Sequence, residues 1–160
     1  MAQALARHGA NVALLDIDQA RAEMAARAVR GAEKAGQVHA IGADITRLED
    51  CETAVRETVD KLGGLSILVN CAARGNIHVL QSDKTKSTRF WEADPQVWTK
   101  VIDTNVNGHF LMSHYAAPEM IARGWGRIVN ITTSLPTMQR VRNSPYGVSK
   151  VAMEIGRAHV

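Results

Sequence analysis

The chain of 160 residues is 46% hydrophobic and 22% charged, which is the size and composition of one soluble globular domain. Its formal net charge is only +3 and its basic residues are scattered, so it lacks the basic stripe interleaved with aromatic side chains that a nucleic-acid surface needs. Two isolated cysteines, six histidines without metal-ligand spacing, and the lack of a signal peptide or a membrane-length apolar run predict a cytoplasmic protein with no disulfide, metal or membrane segment.

In the first 70 residues, short apolar runs alternate with longer segments of helical pattern. Glycines end the helical segments, and the apolar runs are typical of buried strands. The predicted helices cover residues 1–8, 19–34 and 48–62, the last with Thr46 as its expected N-cap, and the predicted strands cover residues 11–16, 38–41 and 65–70.

The second half begins with a polar loop at 74–94, which is longer than most connections between elements. Pro95 after Asp94 is a favourable helix start, and the pattern predicts one helix to about residue 123. A strand at 127–132, a loop that contains Pro136 and a final helix around Tyr146 are expected to follow. Strands that alternate with helices indicate an α/β fold with a parallel sheet covered on both faces, in a single domain without repeats.

The final helix places a phenol four residues before an ammonium group. Positions i and i+4 share one face of a helix, so Tyr146 and Lys150 are expected to point the same way. A nearby ammonium stabilises the phenolate form of a tyrosine, and such a phenol can exchange a proton with a substrate oxygen near neutral pH. A bare Y-x-x-x-K more often marks an exposed tyrosine and a solvated lysine, so the pair gains weight only from the rest of the chain.

One acidic residue ends the first predicted strand, and another comes shortly after the second. Asp16 can hydrogen-bond the 2′-hydroxyl of a dinucleotide ribose, or it can cap the helix that follows. Ile17 beside it offers no guanidinium group to a 2′-phosphate. Asp44 can fix its own loop or accept a hydrogen bond from an adenine.

Asparagines mark two further candidate segments. Asn70 ends the third strand, and the small residues 71–73 after it either let a flat ligand approach the backbone or simply form a tight exit from the strand. Asn105 and Asn107 fall in the middle of a predicted helix, where asparagine is neutral to unfavourable. Such an asparagine opens the helix and frees a carbonyl that holds water, or else it is a satisfied polar group of the core.

Together these segments resemble the short-chain dehydrogenase/reductase family, in its simple dehydrogenase branch. They occur in the family's order and spacing over nearly the whole chain: Asp16, Asp44, Asn70-Cys71-Ala72-Ala73, Asn105-Val106-Asn107-Gly108, Gly126-Arg127-Ile128-Val129-Asn130-Ile131 and Tyr146-x-x-x-Lys150. The resemblance implies a Rossmann-like, doubly wound parallel sheet. It also implies a homo-oligomeric oxidoreductase that moves hydride between NAD(H) and a small carbonyl or secondary-alcohol substrate, with NADP disfavoured by Asp16.

The same resemblance assigns roles to individual residues. Tyr146 is the proton donor or acceptor, Lys150 favours its deprotonated form and holds the nicotinamide ribose, and Asn105 positions a water of the proton relay. The hydroxyl that orients the substrate, a serine in the family, is Thr133 by spacing or Ser134 by residue type, and Thr133 is slightly preferred. The residues implied in cofactor binding are Asp16, Asp44, Ile45, Asn70, Ala72, Tyr146 and Lys150.

The chain also departs from the family pattern. Cys71 and Ala73 replace an asparagine and a glycine, and Ala73 adds a methyl group where the backbone should lie close to the cofactor. The family's first strand with its glycine-rich turn, and its last strands, have no counterpart, so residues 1–154 are expected to form an incomplete dinucleotide-binding domain that is inactive by itself. Residues 155–160 match the translation of a sequencing adapter and are expected to be a non-native tail. The alternatives are a non-functional fragment and a catalytically silent relative that only binds.

Overall fold

The computed structural model describes residues 1–31, 36–75, 91, 94–139 and 144–155. Its strands are β1 (Val12–Asp16), β2 (Val38–Gly42), β3 (Ile67–Asn70) and β4 (Arg127–Asn130). Its α-helices are α1 (Ala2–Arg7), α2 (Gln19–Arg30), α3 (Leu48–Leu62), α4 (Pro95–Ile102), α5 (Gly108–Ala122), α6 (Leu135–Met138) and α7 (Tyr146–Ile155), and a π-helical segment, Asp103–Asn107, joins α4 to α5. Most of the loop expected at 74–94, and residues 156–160 of the expected tail, lie outside the described residues.

The described strands form two separate pairs. In the first pair β1 and β2 run parallel, with Val12 opposite Val38 and Asp16 opposite Gly42. In the second pair, of β3 and β4, the N–H of Arg127 donates to Ser66 and the N–H of Ile131 donates to Asn70. Both strands of this pair advance by the same number of residues between the two hydrogen bonds, as parallel strands do. The predicted alternation of helices with parallel strands is therefore confirmed.

The chain divides into two compact units, and the first comprises Met1–Leu68 and Leu111–Arg127. Its main core joins α3 to α5 through five buried side chains, which are Cys51, Val55, Met112, Ala116 and Met120. On α2, Ala22 and Ala26 lie one turn apart and pack on Ala40 of β2, because positions i and i+4 share one helix face. Small alanines at this contact let the helix lie close to the sheet.

The start of α3 differs from the prediction. Arg47, and not Thr46, occupies the N-cap position, and no side chain caps the helix there. The Thr46 hydroxyl donates instead to Asp44, 2.7 Å away, which also accepts from the Thr46 N–H. The carboxylate thus draws Thr46 into the loop before the helix begins. At the other end of α3, Gly63 has φ of 78°, a left-handed conformation that glycine adopts without a steric penalty.

The second unit comprises Val69–Phe110 and Ile128–Val160. Asp94 caps α4 as predicted, since its side chain accepts from the N–H of Gln96. The single α-helix expected over 95–123 is wrong in one respect, because the π-helical segment interrupts it. Pro136, expected in a loop, lies in the first turn of α6, where a residue without an N–H is tolerated.

Candidate active site

Asn105 lies in the π-helical segment and connects three parts of the second unit. Its side chain is fully buried, at 0% exposure. Its Oδ1 accepts from the N–H of Arg74 at 2.7 Å, and its Nδ2 donates to the Arg74 carbonyl at 3.1 Å and to the Ser149 hydroxyl at 2.9 Å. Asn105 is thus a satisfied polar group of the core, and it lies where the helix widens into a π-helical segment; a freed carbonyl that holds water stays a prediction.

Ser149 relays this contact to the first residue of α7. Its hydroxyl accepts from Asn105 and donates to the Tyr146 carbonyl at 2.7 Å, one turn back along the helix. The serine is fully buried, so each of its hydrogen bonds replaces one that water would otherwise make. Asn105 and Ser149 together hold the first turn of α7 in place, and this positions the backbone of Tyr146.

Lys150 is the most unusual residue of the unit, because it is a lysine that is only 2% exposed. Its Nζ donates to the Ile131 carbonyl at 2.7 Å and lies 5.7 Å from the centroid of the Tyr146 ring. The two side chains thus share one side of α7, as their spacing predicts. Burial lowers the pKa of Lys150, and the neighbouring Cys71 opposes this change in part.

Close packing between α6 and α7 sets the position of the tyrosine. Gly147, directly after Tyr146, is buried, and a Cβ atom built there would overlap the backbone oxygen of Met138 at the end of α6. Only glycine lets the first turn of α7 approach α6 this closely. The glycine after Tyr146 is therefore a packing requirement of the site.

The two candidate hydroxyls before α6 have different surroundings. Ser134 is exposed, and its hydroxyl shares a hydrogen bond of 2.9 Å with the Thr137 hydroxyl in α6. Thr133 is half-buried, and no described residue hydrogen-bonds its hydroxyl. Thr133 is thus the hydroxyl of the pair that has no partner among the described residues.

The strand ends of the second unit are joined through two asparagines. Nδ2 of the buried Asn70 donates to Oδ1 of Asn130 at 2.9 Å, and Nδ2 of Asn130 reaches the carbonyl of Met153 in α7 at 3.5 Å. The residues after Asn70, at 71–73, are exposed, while the Ala72 carbonyl lies 2.7 Å from Nε2 of His109. The exit from β3 is therefore held by hydrogen bonds while its small side chains stay accessible.

The remaining predicted residues belong to the first unit. Oδ1 of Asp16 accepts from the N–H of Asp18, and Asp18, not Asp16, caps α2. The N-cap interpretation of Asp16 is therefore wrong. The Asp44 carboxylate fixes its own loop through Thr46, one of the alternatives left open. The Ile45 side chain packs against the core, and its carbonyl accepts from the Cys51 thiol at 3.3 Å.

Sequence reasoning missed roles for Ser149, Asn130 and His109. Ser149 and Asn130 stand inside the family motifs at 146–150 and 126–131, and their polar character within those motifs was the available signal. His109 follows Asn105 by one helical turn, at the start of an otherwise largely apolar helix. Among the described residues, no three His, Cys, Asp or Glu side chains cluster to hold a metal ion, and no helix has the length and apolar character needed to cross a bilayer.

The model of the family described as short chain dehydrogenase matches residues 1–155. The chain belongs to this family. The resemblance to this family is thus confirmed.

Solved structures confirm the fold. The structure of NAD⁺-bound xylitol dehydrogenase aligns with a TM-score of 0.81 and 28% identity, over 95% of this chain and 54% of the xylitol dehydrogenase chain. The gluconate 5-dehydrogenase of Burkholderia cenocepacia J2315, solved with NADP and tartrate, aligns with a TM-score of 0.79 and 27% identity. This alignment covers 96% of this chain and 56% of the gluconate dehydrogenase chain.

Curated members of the short-chain dehydrogenase family are similar over most of this chain. The 2-(S)-hydroxypropyl-CoM dehydrogenase 3 of Xanthobacter autotrophicus is 34% identical over 148 residues, which cover 86% of this chain and 51% of the relative. An oxidoreductase of Thermotoga maritima is 28% identical over the whole of this chain and 61% of its own length. The chain therefore spans between 51% and 61% of these two relatives. The family is one of oxidoreductases, and the two solved neighbours hold NAD⁺ in one case and NADP in the other.

Proposed function

We propose that this chain is the dinucleotide-binding part of a longer enzyme, here called the parent enzyme, that moves hydride between NAD(H) and a carbonyl or secondary-alcohol carbon. The observation that carries the proposal is the Tyr146–Lys150 pair, in which a buried ammonium lies 5.7 Å from the centroid of a half-buried phenol ring. Burial of a charged ammonium is costly, and proteins accept that cost where the charge serves the chemistry. Membership of the dehydrogenase family supports the same reaction class.

Tyr146 is the proposed acid–base group. In the reducing direction its hydroxyl gives a proton to the substrate oxygen, and in the oxidising direction its phenolate takes the proton back. No described residue hydrogen-bonds this hydroxyl, which leaves it available for a substrate. The positive charge of Lys150 stabilises the phenolate, and burial strengthens this attraction by excluding water.

Thr133 is the proposed substrate-orienting hydroxyl, in preference to Ser134. The Thr133 hydroxyl, which has no partner among the described residues, can donate to a substrate oxygen, whereas the Ser134 hydroxyl would first have to leave Thr137. Asn105 is proposed to hold the π-helical turn open so that a backbone carbonyl can bind the water of the proton relay. The water itself stays a prediction of the resemblance.

Each unit carries residues that fit a dinucleotide, which supplies or accepts the hydride when it is bound. In the first unit, Asp16 is the last residue of β1 and uses one carboxylate oxygen on the N–H of Asp18, so the other oxygen can accept from a ribose hydroxyl. In the second unit, the exposed residues 71–73 permit close approach, and Lys150 keeps two N–H groups for a ribose beyond the one used on Ile131. The carboxylate of Asp16 would repel a 2′-phosphate, which favours NAD(H) over NADP(H).

The test replaces Tyr146 by phenylalanine in the parent enzyme. This change removes only the hydroxyl, so turnover should fall by a factor of roughly 10² to 10⁴ while NADH still binds. Stopped-flow or steady-state rates give the turnover, and quenching or enhancement of NADH fluorescence gives the binding. Turnover close to that of the unchanged enzyme would refute the acid–base role. A parent enzyme that bound neither NADH nor NADPH would refute the whole proposal and favour a silent relative.

A further inference from the structure

His109 is a buried histidine in the first turn of α5 for which the proposed reaction has no role. Its side chain is 1% exposed, and its Nε2 lies 2.7 Å from the carbonyl oxygen of Ala72. A carbonyl oxygen can only accept a hydrogen bond, so Nε2 must carry the proton in this contact. The bond crosses 37 positions of the chain and therefore joins α5 to the exit from β3.

The surroundings of His109 keep its ring neutral near pH 7. Burial lowers the pKa of His109 below its ordinary value of 6.5, and the positive charge of Lys150 lowers it further. The hydrogen bond to Ala72 raises the pKa of His109, but its effect is smaller than that of burial. A neutral ring with its proton on Nε2 is one fixed tautomer, in which Nε2–H donates and the Ala72 carbonyl accepts.

Two side chains of one helical stretch hold the backbone on both sides of Ala73. His109 binds the Ala72 carbonyl, and Asn105, one turn earlier, binds both the N–H and the carbonyl of Arg74. The side chains of residues 71–73 are exposed and small, so they contribute no anchor of their own. The position of this segment therefore depends on the hydrogen bonds that the Asn105 and His109 side chains make to the backbone.

We propose that His109 is a positioning residue, whose Nε2–H holds the Ala72 carbonyl and thereby fixes the exposed segment 71–73 for binding of the dinucleotide. The inference rests on the proposed function, since it concerns the segment that is proposed to lie against the cofactor. His109 acts through Ala72 and is not placed in contact with cofactor or substrate. Loss of its bond should therefore weaken cofactor binding and leave turnover at saturating cofactor nearly unchanged.

The test compares two variants of the parent enzyme. In His109→Gln the side-chain amide nitrogen stands the same number of bonds from Cα as Nε2 does, so it can donate to Ala72. In His109→Leu no donor remains. NADH fluorescence titration should show a dissociation constant raised on the order of tenfold in H109L, with the KM for cofactor raised alongside it and kcat within about twofold of the unchanged enzyme. H109Q should recover most of the affinity. His114→Leu, at an exposed histidine of the same helix, is the matched control and should change none of these values.

Two results would overturn the proposal. The first is an H109L enzyme with unchanged affinity and KM for the cofactor, or one in which only kcat falls. The second comes from ¹⁵N NMR of labelled histidines, with the His109 signals assigned by their loss in H109Q. A ring protonated on Nδ1 alone could not donate from Nε2, and the proposed bond would not exist. The NMR result needs neither a folded leucine variant nor a bound cofactor. A parent enzyme that binds no dinucleotide at all would instead refute the proposed function, whatever the tautomer.

Discussion

Replacement of Asn105 by alanine tests the hydrogen bonds that organise the second unit. The change leaves three groups without a partner, namely the N–H and the carbonyl of Arg74 and the acceptor lone pair of Ser149. Ser149 keeps its own bond to Tyr146, and Arg74 is only half-buried, so water can satisfy part of the loss. Each lost bond costs about 1 kcal/mol, and a group left buried without a partner costs about 1–3 kcal/mol. The free energy of unfolding should therefore fall by roughly 2–4 kcal/mol.

Chemical denaturation of the parent enzyme measures this change, and Asn107→Ala provides the matched control. Asn107 lies in the same π-helical segment but is exposed, and within the part of the chain that the structure describes its side chain donates only to Asp103. Its replacement should alter the unfolding free energy by less than about 0.5 kcal/mol. A second variant, Asn105→Leu, keeps nearly the size of the side chain and adds no charge, but it loses both donors and the acceptor for the Arg74 N–H. It separates the loss of hydrogen bonds from the effect of a cavity.

Turnover should fall with stability in Asn105→Ala, because Ser149 then loses one of the two bonds through which it locates Tyr146. A misplaced reacting group commonly costs a factor on the order of 10 to 100 in rate. The reasoning is refuted if Asn105→Ala and Asn107→Ala unfold at the same denaturant concentration. It is also refuted if Asn105→Leu is as stable as the unchanged enzyme, since the hydrogen bonds of Asn105 would then contribute nothing.

Three further predictions concern single side chains of the parent enzyme. Asp16→Ala should narrow the preference for NADH over NADPH, as measured by the ratio of kcat/KM values; a preference for NADPH before any mutation would contradict the role of Asp16. Lys150→Met should abolish turnover yet leave the melting temperature unchanged or raised. The reason is that an apolar side chain of similar length avoids the cost of burying an ammonium group. A large loss of stability in this variant would show that the lysine is structural. Burial, aided by Asp50 and Asp44, raises the pKa of Cys51 from 9.0 to about 11, so the folded protein keeps a proton that the unfolded chain loses. Stability should therefore decline between pH 9 and 11, and Cys51→Ala, compared over the same pH range, should decline less.

Local sequence signals predicted most of the elements, because each signal acts over a few residues. Asp94 before Pro95 gives a helix start through the bond to Gln96, and the spacing of Tyr146 and Lys150 gives a shared helix face. Thr46 shows where such signals fail. Threonine is a good N-cap residue, but its hydroxyl and its N–H both donate to Asp44, which holds Thr46 in the loop one residue before the N-cap position, Arg47.

The connections that tie the candidate site together could not be predicted from local patterns. The bonds from Asn105 to Arg74 and Ser149 span 31 and 44 positions, and the bond from Asn70 to Asn130 spans 60. A sequence shows that asparagine is unfavourable inside a helix, but it does not show which distant backbone group satisfies the amide. The same limit explains why His109 attracted no attention, since only the folded chain brings the Ala72 carbonyl to it.

The energetics of Lys150 give the strongest physical reason to regard this unit as an active site. Its ammonium group has three donors, and within the described residues only the Ile131 carbonyl accepts from it. One neutral acceptor does not offset the loss of hydration, which is why burial lowers the pKa of Lys150. Leucine or methionine at this position could pack α7 without that cost, so packing alone gives no reason for a buried lysine here. Two donors left in a buried position next to a tyrosine ring suit instead a group whose remaining partners arrive with the cofactor and the substrate.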